Sequence, residues 1–113
     1  MLFGVREKGN VTILDLAGEI RFSAEASPSV QALVKEQLAA GKTKILLNFE
    51  KVDFLDSYGV GDVMAAFVST QTKSGKLKAF RLSSKISLIF NYSGLARIIE
   101  TFDNEDQALR SFA

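Results

Sequence analysis

Apolar stretches in the first half of the chain have the pattern of β-strands. Residues 3–8 and 11–18 flank Gly9-Asn10, a dipeptide that suits the tight turn of a hairpin. In the second stretch apolar side chains fall on both faces, so we expect both faces of that strand to be covered. Residues 45–49 form a short apolar run, which indicates a buried parallel strand. Further strands are predicted at residues 77–82 and 98–99.

Between these strands, apolar residues recur at the spacing of amphipathic helices. The first helix is expected to begin at Ser27-Pro28, because Ser is a good N-cap and Pro suits the first helical position, and to end at Gly41. The second helix is expected to run from Ser57 to about Lys73. The positions of the apolar stripes are Val30, Leu33, Val34 and Leu38 in the first helix and Val60, Val63, Met64, Phe67 and Val68 in the second. Most of the second stripe is expected to pack in the core, and exposed apolar atoms of Val60 and Met64 are expected to help form a docking surface.

Two shorter helices are predicted near the C-terminus. Ser84 is the expected N-cap of the first, which ends at Gly94. Asp103 is the expected N-cap of the second, and Glu105 and Asp106 lie in its first turn, where negative charge is favourable. The core-facing positions are expected to be Ile86, Ile89 and Phe90, and then Ala108, Leu109 and Phe112.

The resulting element order, β-β-α-β-α-β-α-β-α, predicts a single α/β domain over residues 1–113. Alternating strands and helices favour a mixed, mostly parallel sheet with about four helices around it. In such sheets functional groups usually lie in the loops that follow the carboxyl ends of strands. The loop predicted over residues 50–56, which leads from the third strand to Ser57, is such a place.

Composition restricts the chemistry available to this chain. Of its 113 residues 47% are hydrophobic, which is enough for one core, and there is no Cys and no His. This excludes a Cys nucleophile, a Cys/His zinc site and a His general base. No cofactor is predicted. The first residues lack the basic and apolar regions of a signal peptide, and no apolar run is long enough to span a bilayer, so we expect a cytoplasmic protein.

Charge is unevenly distributed although the net charge is only +1. Residues 50–62 contain four acidic side chains and Lys51 alone as a base, whereas residues 63–99 contain six basic side chains and no acidic one. The basic stretch could suggest nucleic-acid binding. Its aromatic residues fall mostly on faces predicted to be buried, so we interpret it as a solvated basic surface without direct contact to nucleic acid. These aromatic residues are Phe80, Phe90 and Tyr92.

Ser57 stands out because a strand precedes it and an amphipathic helix follows it. At a helix start, Ser can serve simply as an N-cap. Gly59 and Gly61 complicate this interpretation, because each disfavours the first helical turn by ~1 kcal/mol relative to Ala. Residues without a side chain at these two positions would be explained by close packing on the sheet or by the approach of a partner or phosphate.

Three segments of the chain resemble bacterial anti-sigma factor antagonists of the STAS family. Residues 53–61 read Asp-Phe-Leu-Asp-Ser-Tyr-Gly-Val-Gly, similar to the family signature around its phosphorylated Ser. Residues 16–20, Leu-Ala-Gly-Glu-Ile, look like the end of an early family strand. Residues 90–99, Phe-Asn-Tyr-Ser-Gly-Leu-Ala-Arg-Ile-Ile, look like its C-terminal motif. The segments occur in the expected order and extend over nearly the whole chain.

The resemblance implies a STAS fold and a protein that acts by binding, not as an enzyme. It implies that Ser57 is the phosphoacceptor and that the unphosphorylated form binds an anti-sigma factor. This partner is often a Ser/Thr kinase that phosphorylates the same Ser, and a phosphatase resets the switch. The protein is expected to be a monomer or weak dimer. The expected partner-binding residues are Asp53, Asp56, Ser57, Tyr58, Gly59, Val60, Asp62 and Glu19.

Other functions are compatible with parts of the sequence. Tyr58, Asp62 and Arg21 differ from the residues common in the family, which leaves open a STAS scaffold, a sensor or an accessory subunit of lipid transport that is not phosphorylated. A receiver domain would need an acidic pair after the early strand, where only Glu19 occurs. An enzyme would need a nucleophile–base pair, which the loop acids do not provide, and Gly59-x-Gly61 lacks the third glycine of a dinucleotide-binding loop.

Overall fold

A mixed five-stranded sheet forms the centre of the computed structural model, which describes residues 1–22 and 28–113. Within these residues, neighbouring strands in the sheet are also consecutive in the chain. β1 is antiparallel to β2, and every later pair is parallel, as predicted. The strands are β1 (Leu2–Lys8), β2 (Val11–Ile20), β3 (Lys44–Leu55), β4 (Lys76–Phe80) and β5 (Thr101–Phe102).

The helices of the described residues alternate with the parallel strands. They are α1 (Val30–Ala39), α2 (Ser57–Thr72), α3 (Ser84–Ser93), α4 (Leu95–Ile98) and α5 (Glu105–Arg110). The strand predicted at residues 98–99 is wrong, because Ile98 ends the short helix α4. β5 forms later, where the carbonyl of Phe102 accepts a hydrogen bond from the amide of Arg81 at 2.9 Å. Its position is set by pairing with β4 and not by an apolar run.

Three helices begin one or more residues away from the predicted caps. Ser27 lies outside the described residues, and the hydroxyl of Ser29 caps α1 by accepting a bond from the amide of Ala32. The predictions of Ser84 and Asp103 as caps are wrong. Each has a neighbour that is also a good capping residue, and the fold selects that neighbour. The observed caps of α3 and α5 are Ser83 and Asn104.

β3 is longer than predicted, and the expected loop over residues 50–56 is wrong for all but its last residue. Residues 51–55 continue the parallel ladder with β2, where Gly18 pairs with Val52 and Ile20 with Leu55. The acidic composition of this stretch suggested a loop. Its side chains are instead partly exposed and partly buried, with Val52 and Leu55 in the core, and a register shift between Gly18 and Glu19 interrupts the regular alternation of the strand.

The sheet has two unequal apolar layers. The larger lies between the sheet and α1 to α4 and includes Phe49 and Phe90, whose rings meet edge to face with centroids 5.5 Å apart. The smaller lies on the other face beneath α5. It consists of Val11, Ile13, Leu46, Phe80, Ala108 and Phe112, with Phe102 and Leu109 packed against it.

Charged side chains hold both ends of α5 against the smaller layer. At its start, the guanidinium of Arg6 donates to Asp15 at 2.6 and 2.9 Å and to Glu105 at 2.7 Å. These bonds lower the pKa of both carboxyl groups and raise the pKa of Arg6. At its end, the buried ammonium of Lys78 donates to the carbonyl of Ser111 at 2.9 Å. The ion pairs of Arg6 at its start and the hydrogen bond from Lys78 at its end thus stabilise a helix that is too short to be stable alone.

Candidate partner-binding site at the start of α2

The carboxyl ends of β2 and β3 and the start of α2 lie at one edge of the sheet. Asp56 joins β3 to α2 in an extended conformation, and its Oδ1 accepts a hydrogen bond from the amide of Gly59 at 2.8 Å. Asp56 is therefore the N-cap of α2. The interpretation of Ser57 as the cap is wrong, because the preceding carboxylate satisfies the free amide.

Ser57 is the first helical residue of α2, and its side chain is exposed. Its hydroxyl forms no hydrogen bond within residues 1–22 and 28–113. At this position the helix dipole is positive, so a negatively charged group on the hydroxyl is electrostatically favourable for the helix. Within the described residues, the Ser57 side chain thus makes no hydrogen bond on which the fold depends.

Gly59 is buried where the first turn of α2 crosses the end of β2. A methyl group added there would overlap the carbonyl oxygen of Ile20 and lie 2.6 Å from Cδ1 of Leu55. Close packing inside the protein therefore explains this glycine, which was expected to contact a partner. Val60 beside it is half-buried and packs against the larger apolar layer.

Gly61 is different, because an added methyl group would meet no atom within 4 Å. Its φ is also not in the left-handed region. It lies on the exposed face of α2, in the helical spacing Ser57, Gly61, Met64 and Val68. Met64, which was expected to contribute to a docking surface, is 37% exposed, and Val68, which was expected to pack in the core, is 56% exposed. We call these four residues the exposed stripe of α2.

A shallow surface groove of about 320 Å³ lies beside the exposed stripe. It brings together four of the predicted partner-binding residues, Glu19, Asp53, Tyr58 and Asp62, from both strands and from α2. Asp56, Ser57, Gly59 and Val60 do not line it. Glu19 is paired with Arg21, whose Nε is 3.0 Å from the Glu19 carboxylate.

Asp62 has a structural contact that its position in the sequence did not indicate. Its two carboxylate oxygens accept hydrogen bonds from the amides of Val30 and Gln31 at 2.8 and 2.9 Å. These amides begin α1, so a side chain of α2 caps a different helix. The acid predicted to face a partner thus also joins the two helices at this edge.

Phe22 is a member of the site that the sequence reasoning missed. Its ring meets that of Tyr58 edge to face, with centroids 5.6 Å apart and an interplanar angle of 84°. Both are exposed, Phe22 by 68% and Tyr58 by 47%. A lone aromatic residue in a polar stretch was the available signal, but its proximity to Tyr58 depends on the fold.

The basic residues between 63 and 99 are only partly a solvated surface. Lys78 is buried under α5, Arg81 lies 3.4 Å from Glu50, and Lys85 lies over the ring of Phe54 at 5.5 Å. Two of the three aromatic rings in this stretch are buried, those of Phe80 and Phe90, whereas that of Tyr92 is 86% exposed. Several of these cations therefore serve contacts within the protein.

Within residues 1–22 and 28–113, no helix has the length and apolar character needed to cross a bilayer. The same residues contain no group of three or more acidic side chains arranged to hold a metal ion. The acids at the start of α2 are thus spread around the groove instead of converging on one point.

Comparison with known proteins agrees with this architecture. A family model for the STAS domain matches residues 3–108, so the chain belongs to the STAS domain family. The α/β fold is the one predicted from the three sequence segments. Ser57, whose exposed hydroxyl lies at the start of α2, falls within the matched region.

Relatives of known name are anti-sigma factor antagonists. The chain is 29% identical over 85 residues to the anti-sigma-B factor antagonist of Listeria monocytogenes, covering 75% of this chain and 73% of the relative. It is 26% identical to the anti-sigma F factor antagonist of Paenibacillus polymyxa over 88% of this chain and 84% of the relative. The solved structure of phosphorylated SpoIIAA from Bacillus has a TM-score of 0.72 at 24% identity, covering 99% and 100% of the two chains.

Proposed function

We propose that this protein is an anti-sigma factor antagonist that binds an anti-sigma factor through the surface around Ser57. Phosphorylation of Ser57 by that partner, acting as a Ser/Thr kinase, breaks the complex, and a phosphatase restores it. The names of the relatives support the class of partner. The observation that carries the switch is the exposed hydroxyl of Ser57 at the first position of α2, next to a different residue that caps the helix.

The surroundings of Ser57 favour a switch that changes binding and leaves the fold intact. A phosphate adds a charge of roughly −1.5 to −2 at neutral pH. The helix dipole offsets part of that charge within the protein. In a complex, however, the phosphate would be buried beside Tyr58 and the exposed stripe of α2, where its desolvation opposes association.

Gly61 supports docking along the exposed stripe. Gly disfavours the helix by ~1 kcal/mol relative to Ala, and no contact inside the described protein requires it. Absence of a side chain allows another backbone or a bulky side chain to approach closely. Met64 and Val68 would then supply apolar contact area further along the same face.

A phosphorylation assay tests the proposed switch. The protein is incubated with ATP and a candidate anti-sigma factor of the Ser/Thr kinase type from the same organism, and intact mass is measured. We expect one added phosphate on the wild type and on Ser84→Ala, and none on Ser57→Ala. Ser84 is the matched control, because it is also an exposed serine at the first position of a helix. Equal labelling of Ser57→Ala and wild type would exclude Ser57 as the acceptor.

Binding and stability should respond separately to changes at neighbouring positions. Ser57→Glu is expected to weaken binding to the kinase while the melting temperature stays nearly unchanged, because Ser57 is not the cap. Asp56→Ala should instead destabilise the protein by about 1 kcal/mol, because it removes the bond to the amide of Gly59. A large loss of stability in Ser57→Glu would contradict the structural independence of the switch.

A STAS scaffold that binds without phosphorylation is the second candidate. The observation that favours it is the exposed ring of Tyr58, which adjoins Ser57 and narrows the access of a kinase active site. Retained binding to the partner, together with no phosphate on the wild type in the assay above, would establish this function in place of the switch.

A further inference from the structure

Phe22 and Tyr58 form an exposed aromatic pair outside both apolar layers of the protein. Their rings meet edge to face, and neither ring belongs to the layer under α1 to α4 or to the layer under α5. Edge-to-face contact is a favoured geometry for aromatic rings, so the two side chains support one another on the surface. Their remaining exposure leaves apolar area without a partner inside the described protein.

Charged groups surround this pair. Tyr58 lines the groove that also contains Glu19, Asp53 and Asp62, and Arg21 directly precedes Phe22. Protein interfaces commonly have this arrangement, with aromatic side chains at the centre and a polar border that remains partly hydrated. Tyr is also among the residues that contribute most to binding when they are enclosed by a partner.

We propose that the Phe22–Tyr58 pair is an apolar anchor that enters an apolar pocket on the partner and selects among anti-sigma factors. The proposal rests on the proposed function for the class of partner and goes beyond it in naming the chemistry of the contact. The pair adjoins Ser57, so the anchor is continuous with the exposed stripe of α2. A partner with a flat surface at this point is rejected, because it cannot approach Ser57 past the two rings.

The charge of the border defines the partner further. Of the side chains around the pair, Glu19, Asp53 and Asp62 are acidic, and Arg21 is already paired with Glu19. A complementary pocket carries basic side chains at its rim and apolar ones at its centre. The same acids repel anionic lipid and nucleic acid, which argues for a protein as the occupant of this surface.

Affinity measurements on matched variants test the anchor. Isothermal titration calorimetry with the anti-sigma factor kinase that phosphorylates or binds the wild type is performed on Phe22→Ala, Tyr58→Ser and the double variant. We expect each single variant to raise the dissociation constant about tenfold or more. The dissociation constant of the double variant should rise by less than the product of the two single-variant factors, because the rings support one another. Tyr92→Ser, which removes an even more exposed ring elsewhere, should bind like the wild type.

The outcomes separate this proposal from the proposed function. If Ser57→Glu loses binding while the Phe22 and Tyr58 variants keep wild-type affinity and melting temperature, the anchor is wrong and the antagonist function stands. If neither Ser57→Glu nor the aromatic variants alter affinity, or if the wild type does not bind the kinase, both proposals are wrong. Binding of the wild type to phosphatidylglycerol vesicles that Tyr58→Ser abolishes would make the pair a membrane contact and overturn the anchor.

Discussion

The carboxylate of Asp62 in α2 accepts a hydrogen bond from the amide of Val30 in α1, with 2.8 Å between the oxygen and the nitrogen. Its other oxygen accepts from the next amide, so one side chain caps a helix that is distant in the sequence. This contact joins the two helices beside the surface groove that Tyr58 lines. Asp62 is therefore expected to matter for stability as well as for surface charge.

Asp62→Ala should lower the free energy of unfolding by about 1–2 kcal/mol, because two amides at the start of α1 lose their acceptor. Asp62→Asn, which keeps one acceptor oxygen, should lower the free energy of unfolding by less than Asp62→Ala does. Urea denaturation followed by circular dichroism measures both. The control is Asp53→Ala, which removes an exposed acid from the same groove. Equal stability of Asp62→Ala and Asp53→Ala would show that the capping bonds contribute nothing.

Gly59→Ala and Gly61→Ala should change stability in opposite directions. At Gly59 the added methyl overlaps the carbonyl of Ile20, so α2 must shift and the protein should lose about 2–3 kcal/mol. At Gly61 the methyl enters open space, and better helix propensity should add about 0.5–1 kcal/mol. Chemical denaturation of the two variants measures the difference.

Binding of the Gly61→Ala variant to the anti-sigma factor provides the functional half of that comparison. If a partner approaches the backbone closely at this position, the variant should be more stable and yet bind more weakly. A Gly61→Ala protein with both greater stability and unchanged affinity would remove the argument that this glycine serves docking.

Stability at low pH should depend on Arg6. The guanidinium of Arg6 lowers the pKa of Asp15 and Glu105, so these carboxylates stabilise the fold above their ordinary pKa of about 4. That contribution is lost as the pH falls through the lowered folded-state pKa values. The difference in unfolding free energy between wild type and Arg6→Gln should be constant above about pH 5 and shrink below about pH 4.

The size of the Arg6 effect is limited by solvent. The side chains of Arg6, Asp15 and Glu105 are 38%, 33% and 25% exposed, so we expect only about 1 kcal/mol at low salt and less at high salt. Urea denaturation at several pH values and two salt concentrations measures it. Arg110→Gln in α5, the helix that contains Glu105, is the control for the loss of one positive charge. Parallel pH profiles for wild type and Arg6→Gln would contradict the prediction.

Lys78→Met should loosen the end of α5. The ammonium of Lys78 donates to the carbonyl and hydroxyl of Ser111 and lies 4.8 Å from the ring centroid of Phe112. Loss of these contacts should lower the free energy of unfolding by about 1–3 kcal/mol and speed hydrogen exchange in the amides of α5. Lys76→Met changes an exposed lysine of the same strand and should have little effect. Unchanged exchange in α5 would contradict the anchoring role of Lys78.

Local patterns in the sequence predicted much of this protein correctly. The apolar run of β3, the amphipathic spacing of α1 and the helix that starts at Ser57 depend mainly on neighbouring residues, so they can be recognised without a fold. The STAS family was recognisable because its three segments retain their residue types and order. Local patterns could not distinguish a phosphoacceptor from a cap at Ser57, whereas the resemblance implied a phosphoacceptor.

Tertiary structure decided the features that depend on residues far apart in the chain. The sheet pairing with β2 makes residues 51–55 a strand, and Asp62 meets the amide of Val30 across 32 positions. Phe22 reaches Tyr58 only because β2 and β3 end at the same edge. Propensity and periodicity describe a residue relative to its neighbours, whereas these contacts arise when the sheet and helices pack. The sequence alone therefore determined most of the elements and the family, and packing determined the end of β3, the position of β5 and which side chains are free to meet a partner.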